Sequence, residues 1–236
     1  MYQLLEWDSR FFGFGIASIS SEGFTSDYIE PLLTTLKIQG IRLAYCFLPP
    51  DDLEKNALAV KYGGFLADKK VTFKKNVPAD LKRLTNPCIN TYNGPLIPEL
   101  ENLAIQTSHM SRFRIDPCFP SGSADRLYIK WMENSLNKQL ANEVLVYREN
   151  QSILGMITLS LKQDTGIIGL LGVDTEQRGK NIGSELVDAS EDFISGKGVQ
   201  QLEVVTQMAN TGACRFYEKT GFVLFKVVNI YHFWIN

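Results

Sequence analysis

The segment VDTEQRGKNIGS, residues 173–184, decides how this chain is read. An apolar run from Ile167 to Val173 ends there in a polar loop carrying Arg178 and Lys180. The loop opens a stretch whose apolar residues Ile182, Leu186, Val187 and Phe193 recur at helical spacing. A helix start leaves backbone N–H groups without intrahelical partners, and the aligned peptide dipoles put partial positive charge at the same point. An anion such as a pyrophosphate suits that position. Gly179 and Gly183 permit close backbone approach, and Asn181 is of the type that, after glycine, most readily turns left-handed. An ordinary strand–loop–helix turn with solvated charges has the same pattern, so the flanking sequence has to decide between them.

Working outward, three strand patterns precede or enter the loop: Val144 to Arg148, Ile153 to Leu161 and Ile167 to Val173. Asn150-Gln151 marks a tight hairpin between the first two. After the loop come a helix over Ile182 to Ile194, a strand over Leu202 to Thr206, a helix over Gly212 to Lys219 and a strand over Phe222 to Trp234. A hairpin joined to a strand–helix–strand crossover predicts an α/β (α+β) fold with a mixed sheet. Earlier in the chain the patterns predict a strand over Ile16 to Ser20, a helix over Asp27 to Ile38 with Pro31 in its first turn, and a strand over Ile41 to Leu48. A helix over Leu53 to Tyr62, stopped by Gly63-Gly64, and a strand over Val71 to Lys75 follow.

Ile41 to Lys75 and Leu202 to Ile235 share one grammar: strand, turn, amphipathic helix, Gly-Phe, strand. Setting Gly64-Phe65 on Gly221-Phe222 gives an offset of 157 positions, under which Val60 stands opposite Tyr217 and Leu53 opposite Asn210. The spacing predicts an internal repeat whose first copy lacks the polar residues of the second; convergent patterning is the alternative. Residues 77–98, with four prolines and an Asn-Gly, read as a linker. The predicted organisation is a first unit over residues 1–85 and a second over 86–236, of which the resemblance described below implies that the first is truncated and the second complete. A helix over Pro98 to Thr107 is followed by a long polar loop with Arg112, Phe113 and Arg114, then a helix over Ala124 to Asn137.

A formal charge of −2 in 236 residues gives no basic footprint, so no nucleic-acid partner is expected. Four scattered cysteines without a C-x-x-C, and two distant histidines, predict no structural metal. No apolar run approaches a membrane span and the N-terminus lacks a basic signal region, so a cytoplasmic protein is expected without membrane attachment.

Two motifs together resemble the GCN5-related N-acetyltransferase superfamily. Its loop pattern Gln/Arg-x-x-Gly-x-Gly/Ala is matched by Arg178-Gly179-Lys180-Asn181-Ile182-Gly183, with Asn181 in place of the usual glycine. Its Asn-x-x-Ala-x-x-Phe-Tyr-x-x-x-Gly-Phe is matched by Asn210, Ala213, Phe216, Tyr217, Gly221 and Phe222. SRFRIDPCFP (111–120), RLYIKWMENSL (126–136), VVTQMANT (204–211) and the opening LEWDSRFFGF (5–14) further resemble members of that family acting on dTDP-amino-dideoxy sugars, such as dTDP-4-amino-4,6-dideoxygalactose, in surface-polysaccharide synthesis. The resemblance implies the family's mixed twisted sheet, with a truncated acetyltransferase-like part before a complete one, and acetyl-CoA as cosubstrate.

It also implies roles. Leu171, Gly172 and Val173 act through their main chain on the coenzyme. Residues Arg178, Gly179, Lys180, Asn181, Ile182, Gly183 and Ser184 hold its pyrophosphate, and Asn210, Ala213 and Phe216 line its arm. Tyr217 is the expected general acid. Arg112, Phe113, Arg114 and Tyr128 are candidates for gripping the nucleotide-sugar. Asp68 is the candidate proton relay, with His109 the alternative and a turn aspartate the plain reading. Acceptors other than a sugar, namely a protein N-terminus or a small amine, stay open, as do a non-catalytic coenzyme A-binding module and a homodimer through Val223 to Trp234.

Overall fold

The structure is a computed structural model and describes residues 2–79 and 86–235. In chain order its elements are β1 (Tyr2–Leu4), α1 (Glu6–Phe12), β2 (Gly15–Ile19), α2 (Ser26–Ile38), β3 (Ile41–Leu48), α3 (Leu53–Lys61) and β4 (Phe65–Asn76). Next come β5 (Ile89–Thr91), α4 (Pro98–Thr107), α5 (Arg112–Ile115), α6 (Ser123–Leu136), β6 (Glu143–Glu149), β7 (Ser152–Lys162) and β8 (Thr165–Val173). The chain closes with α7 (Ile182–Ser195), β9 (Gln201–Gln207), α8 (Thr211–Lys219) and β10 (Val223–Trp234). Most of the boundaries follow from local chemistry. Asp52 accepts a hydrogen bond from Lys55 N at 3.1 Å and so starts α3, while Asn150 and Gln151, at φ 47° and 69°, make the hairpin between β6 and β7.

Among the described residues the strands form one ten-stranded mixed sheet in the order β1-β2-β3-β10-β4-β9-β8-β7-β6-β5. Alternation along the strands sends apolar side chains to both faces. On one face α4, α5 and α6 bury Leu100, Leu103, Phe113, Leu127 and Met132 against Tyr45, Val144, Val146 and Met156. On the other, α7 and α8 cover Val71, Phe73, Ile157 and Val204, and α2 and α3 cover Ala17, Ala44 and Cys46. No helix among the described residues is long and apolar enough to cross a membrane.

The offset of 157 reappears in the hydrogen bonding. Moving both partners of the β3–β10 register by it turns Leu48↔Asn229 into Val205↔Thr72 and Ala44↔Phe233 into Gln201↔Asn76, which are observed pairs of β9 with β4. Within β4–β10 the pair Val71↔Val227 maps onto Lys70↔Val228. The two strand–helix–strand units therefore interlock: β10 lies between β3 and β4, and β4 lies between β10 and β9.

Some elements differ from expectation. β4 starts directly after Gly64, because Asp68, Lys69 and Lys70 mask its alternation. Pro31 falls in the second turn of α2, since that helix begins at Ser26. The predicted linker contains β5, paired with β6; its residues 80–85 lie outside the described residues, as does the last residue before the proposed boundary at 85/86. Helices α1 and α5 are too short to show a period in sequence.

Candidate active site

Along its length β8 pairs with β7, but it pairs with β9 only from Gly166 to Ile168. Beyond Ile168 these parallel neighbours part, and Gly169 to Val173 keep a backbone edge that β9 does not fill. The parting coincides with a bulge, marked by the register shift opposite Ile157 and Leu159, where Leu170 N donates to Thr158 Oγ1 at 2.8 Å. Gly172 is not the bulge residue. A Cβ on it would lie 3.0 Å from Thr107 Cγ2 and 3.2 Å from Leu103 O, so glycine lets β8 pack closely on α4. Leu171 and Val173 stand beside it, partly exposed at the free edge.

Past Val173 the chain makes a short 3-10 turn, Thr175–Gln177, capped by Asp174, and then the loop foreseen in sequence. Arg178 folds back so that Nε donates to Val173 O at 3.2 Å, and Lys180 Nζ donates to Gln177 Oε1 at 2.7 Å. Gly179, at φ +81°, and Asn181, at φ 67°, both turn left-handed. Asn181 contributes no side-chain cap to α7, and among the described residues no side chain takes the amides of the first turn, Ile182 to Ser184. Ile182 is buried as the anchor of that turn. At Gly183 a Cβ would approach the Phe216 ring to 3.2 Å, which fixes how closely α7 and α8 meet.

On α8, Asn210 accepts from Ala213 N at 3.1 Å and so starts the helix. Tyr217 is buried among Phe73, Phe216 and Phe222, with ring centroids 6.0, 5.3 and 5.6 Å away. Burial pushes its phenol well above the usual value, and Cys214 adds to the rise.

A second cluster gathers on the opposite sheet face. Tyr45 and Phe47 from β3, His232 from β10 and Asp68 from β4 share that face by register. Arg112, from α5, sits over them, its guanidinium carbon 4.2 Å from the Tyr45 ring centroid, 4.6 Å from Phe113 and 5.8 Å from Phe47. Tyr45 Oη is buried without a hydrogen-bond partner among the described residues. Asp68 follows a bulge at Ala67, where the β4–β10 register slips. Burial pushes its carboxyl up to about 6, with Arg112 acting against the rise. Asp8, on α1, is also raised by burial and opposed by Arg112. Tyr128 is buried against Trp131, at 4.8 Å between centroids; burial raises its phenol, and Ser111, Arg112 and Arg114 lower it.

The structure thus brings Arg112, Tyr128 and Asp68 together and turns Arg114 elsewhere. Arg114 pairs with Asp125 and donates to Ser108 Oγ at 2.5 Å, tying the end of α4 to α6. Phe113 is buried in an aromatic cluster with Phe12 and Phe119, at 5.4 and 5.3 Å. His109 stands exposed after α4. Sequence reasoning missed Asp8, Tyr45, Phe47, Asp116 and His232. They come from α1, β3, the end of α5 and β10, and only the β3–β10 pairing and the docking of α1 and α5 bring them near. Among the described residues no group of three or more His, Cys, Asp or Glu side chains is placed to hold a metal.

The sequence profile of the acetyltransferase (GNAT) family matches residues 107–222. The chain is 32% identical over 127 residues to a dTDP-fucosamine acetyltransferase of Escherichia coli O6:H1, a match covering 53% of this chain and 54%, about half, of that relative's own length. It is 28% identical over 116 residues to N-alpha-acetyltransferase 30 of Schizosaccharomyces pombe, covering 46% of this chain and 75% of the relative. A crystal structure of a GCN5-related N-acetyltransferase from Sphaerobacter thermophilus superposes over 100% of this chain and 76% of its own, with TM-score 0.63 and 15% identity. The chain has the GNAT fold, and its residues 107–222 carry the sequence pattern of the acetyltransferase (GNAT) family model.

Proposed function

We propose that this protein is an acetyl-CoA-dependent N-acetyltransferase that acetylates the amino group of a dTDP-linked amino-dideoxy sugar, of the dTDP-4-amino-4,6-dideoxygalactose type. The observation that carries this reading is the meeting of two unfilled backbone sites: the uncapped first turn of α7 and the edge of β8 that β9 leaves free. Together they suit coenzyme A. Amides over residues 179–184, with Arg178 and Lys180 beside them, match a pyrophosphate, and the edge from Leu171 to Val173 matches the amides of a pantetheine arm. Asn210, Ala213 and Phe216 flank that arm from α8. Bound there, acetyl-CoA supplies an acetyl thioester.

The remaining chemistry falls to side chains. Tyr217 holds its proton at Oη throughout the physiological range, because burial raises its pKa. A sulfur leaving into the same dry site is raised by the same burial, so the mismatch between phenol and thiol stays small. Asp68, at about 6, is ionised near neutral pH yet basic enough to take a proton from the acceptor amine, directly or through water. Arg112 and Tyr128 grip the acceptor, the guanidinium facing its diphosphate. The four cysteines are free, as a reducing, cytoplasmic setting leaves them.

The N-alpha-acetyltransferase relative supports a second reading, in which the acceptor is a protein N-terminus. Thiol release measured with dTDP-amino sugars, peptides with free N-termini and polyamines separates the two. Turnover of the sugars is expected, and turnover of peptides alone rejects the sugar. Acetyl-CoA binding without release for any amine points to a binding module.

Residues Val223 to Val228 of β10 extend past the end of β3, which stops at Leu48, and carry the exposed Val223, Leu224 and Phe225. An apolar strand edge of this kind supports a homodimer formed by antiparallel pairing of two copies.

A further inference from the structure

Arg112 presents an unusual balance. Its guanidinium lies between ring faces in a desolvated cleft, and among the described residues no carboxylate oxygen lies within 4.0 Å of it. What holds it instead is a chain of two buried groups. Nη1 of Arg112 stands 3.4 Å from Nε2 of His232, and Nδ1 of the same imidazole lies 2.6 Å from Asp116 Oδ2. That carboxylate oxygen also accepts from Trp234 Nε1 at 2.8 Å, and the other accepts from Cys118 N at 3.0 Å. His232 is 0% and Asp116 2% exposed, so no water competes for these bonds.

The donors and acceptors allow one arrangement. A guanidinium only donates, so His232 Nε2 has to present a lone pair to Arg112, and the ring proton sits on Nδ1, where the carboxylate takes it. We infer that Asp116 and His232 are positioning residues: Asp116 fixes the imidazole in its Nδ1–H tautomer, and His232 Nε2 then aims Arg112 so that its other N–H groups face an anionic group of the acceptor. The buried orphan hydroxyl of Tyr45, whose ring lies 5.0 Å from that of His232, adds a second unsatisfied polar group at the same place.

The groups facing the imidazole are Asp116, Arg112 and Tyr45, with the rings of Phe119 and Tyr45 packed on it. Burial lowers its pKa and the neighbouring Arg112 lowers it further, against the pull of Asp116. The ring is therefore neutral near pH 7, as the relay requires.

The assignment of the acceptor's anion rests on the nucleotide-sugar reading, whereas the tautomer does not. The chain has two histidines, so nitrogen NMR of the full-length protein labelled at histidine resolves both, and a His109→Gln variant assigns them. Expected is a His232 ring that is neutral at pH 7 with its proton on Nδ1 and that charges only below the range of an ordinary histidine. A proton on Nε2, or a ring charged at pH 7, overturns the relay. His232→Phe is expected to raise the acceptor KM about 10-fold or more while the acetyl-CoA KM stays within about twofold, and His232→Gln, which keeps an acceptor atom for Arg112, to restore most of it. A folded His232→Phe protein with an unchanged acceptor KM also overturns it. Should that variant fail to fold, the tautomer in the unsubstituted protein decides. If the protein acetylates peptides and no sugar, the acceptor reading falls, and the NMR result alone settles the relay.

Discussion

At Tyr217 a single oxygen separates catalysis from packing. Phenylalanine fits the same aromatic cage of Phe73, Phe216 and Phe222, so Tyr217→Phe is expected to fold normally and bind acetyl-CoA within about twofold, with kcat lower by about 100-fold or more. Steady-state kinetics with calorimetry checks both halves, and near-normal kcat removes Tyr217 from the mechanism. Asp68 makes a two-sided prediction. Its folded pKa is raised, so the folded state binds the proton more tightly than the unfolded chain, and stability is lost as pH rises through about 6. Asp68→Asn should therefore raise the melting temperature at pH 8, by about 1–2 kcal/mol of stability, and change it little at pH 4. A rise in kcat/KM around pH 6 is expected of the wild type, and the same variant should lose it. A melting temperature unmoved at pH 8 contradicts the burial argument. The placing of Tyr217 on a helix was legible because its neighbours carry a helical period. Arg112 and Arg114 were not separable by sequence, since two positions in a four-residue helix differ only in what happens to pack beside them.

The elements that matter most are the ends of β8 and α7. Asn181 holds a left-handed conformation that a β-branched residue reaches only at a cost of about 1–2 kcal/mol. Asn181→Val is expected to weaken acetyl-CoA binding about 10-fold, the equivalent of about 1.4 kcal/mol, whereas Asn181→Gly should bind within about twofold. Isothermal calorimetry distinguishes them, and equal affinities indicate that the loop conformation does not hold the pyrophosphate. For β10, Leu224→Lys places a charge on the proposed pairing edge. Sedimentation should show a dimer for the wild type and a monomer for the variant, and a wild-type monomer at every concentration removes the proposal. The loop was readable because its glycines, Asn181 and charges are contiguous. The parting of β8 from β9 was not, because a bulge depends on which residues face each other across strands.

On the scale of the molecule, the interlocked order β3-β10-β4-β9 constrains how the chain can be divided. We propose that the division at 85/86 records a repeated unit whose copies need each other. β4 supplies partners to both β9 and β10, and Lys75 on β4 pairs with the buried Glu191 of α7 while donating to Thr220 O at 2.7 Å. A fragment of residues 86–236 leaves β10 without either neighbour, so it is expected to lack a cooperative thermal transition; a sharp transition with native-like circular dichroism refutes the mutual dependence.

By itself the sequence determined what adjacent residues determine: the order of strands and helices in the second half, the loop at 178–184, and the offset of 157 that the strand register obeys. These depend on periodicity and conformational preference, which act over a few residues. Only the tertiary structure decided that the two strand–helix–strand units interlock, that Arg112 enters the cleft while Arg114 clamps α6, and that Asp116 and His232, 116 positions apart, share a proton-bearing bond. Burial and the matching of donors to acceptors made those choices, and both are properties of neighbours in space that no local pattern encodes.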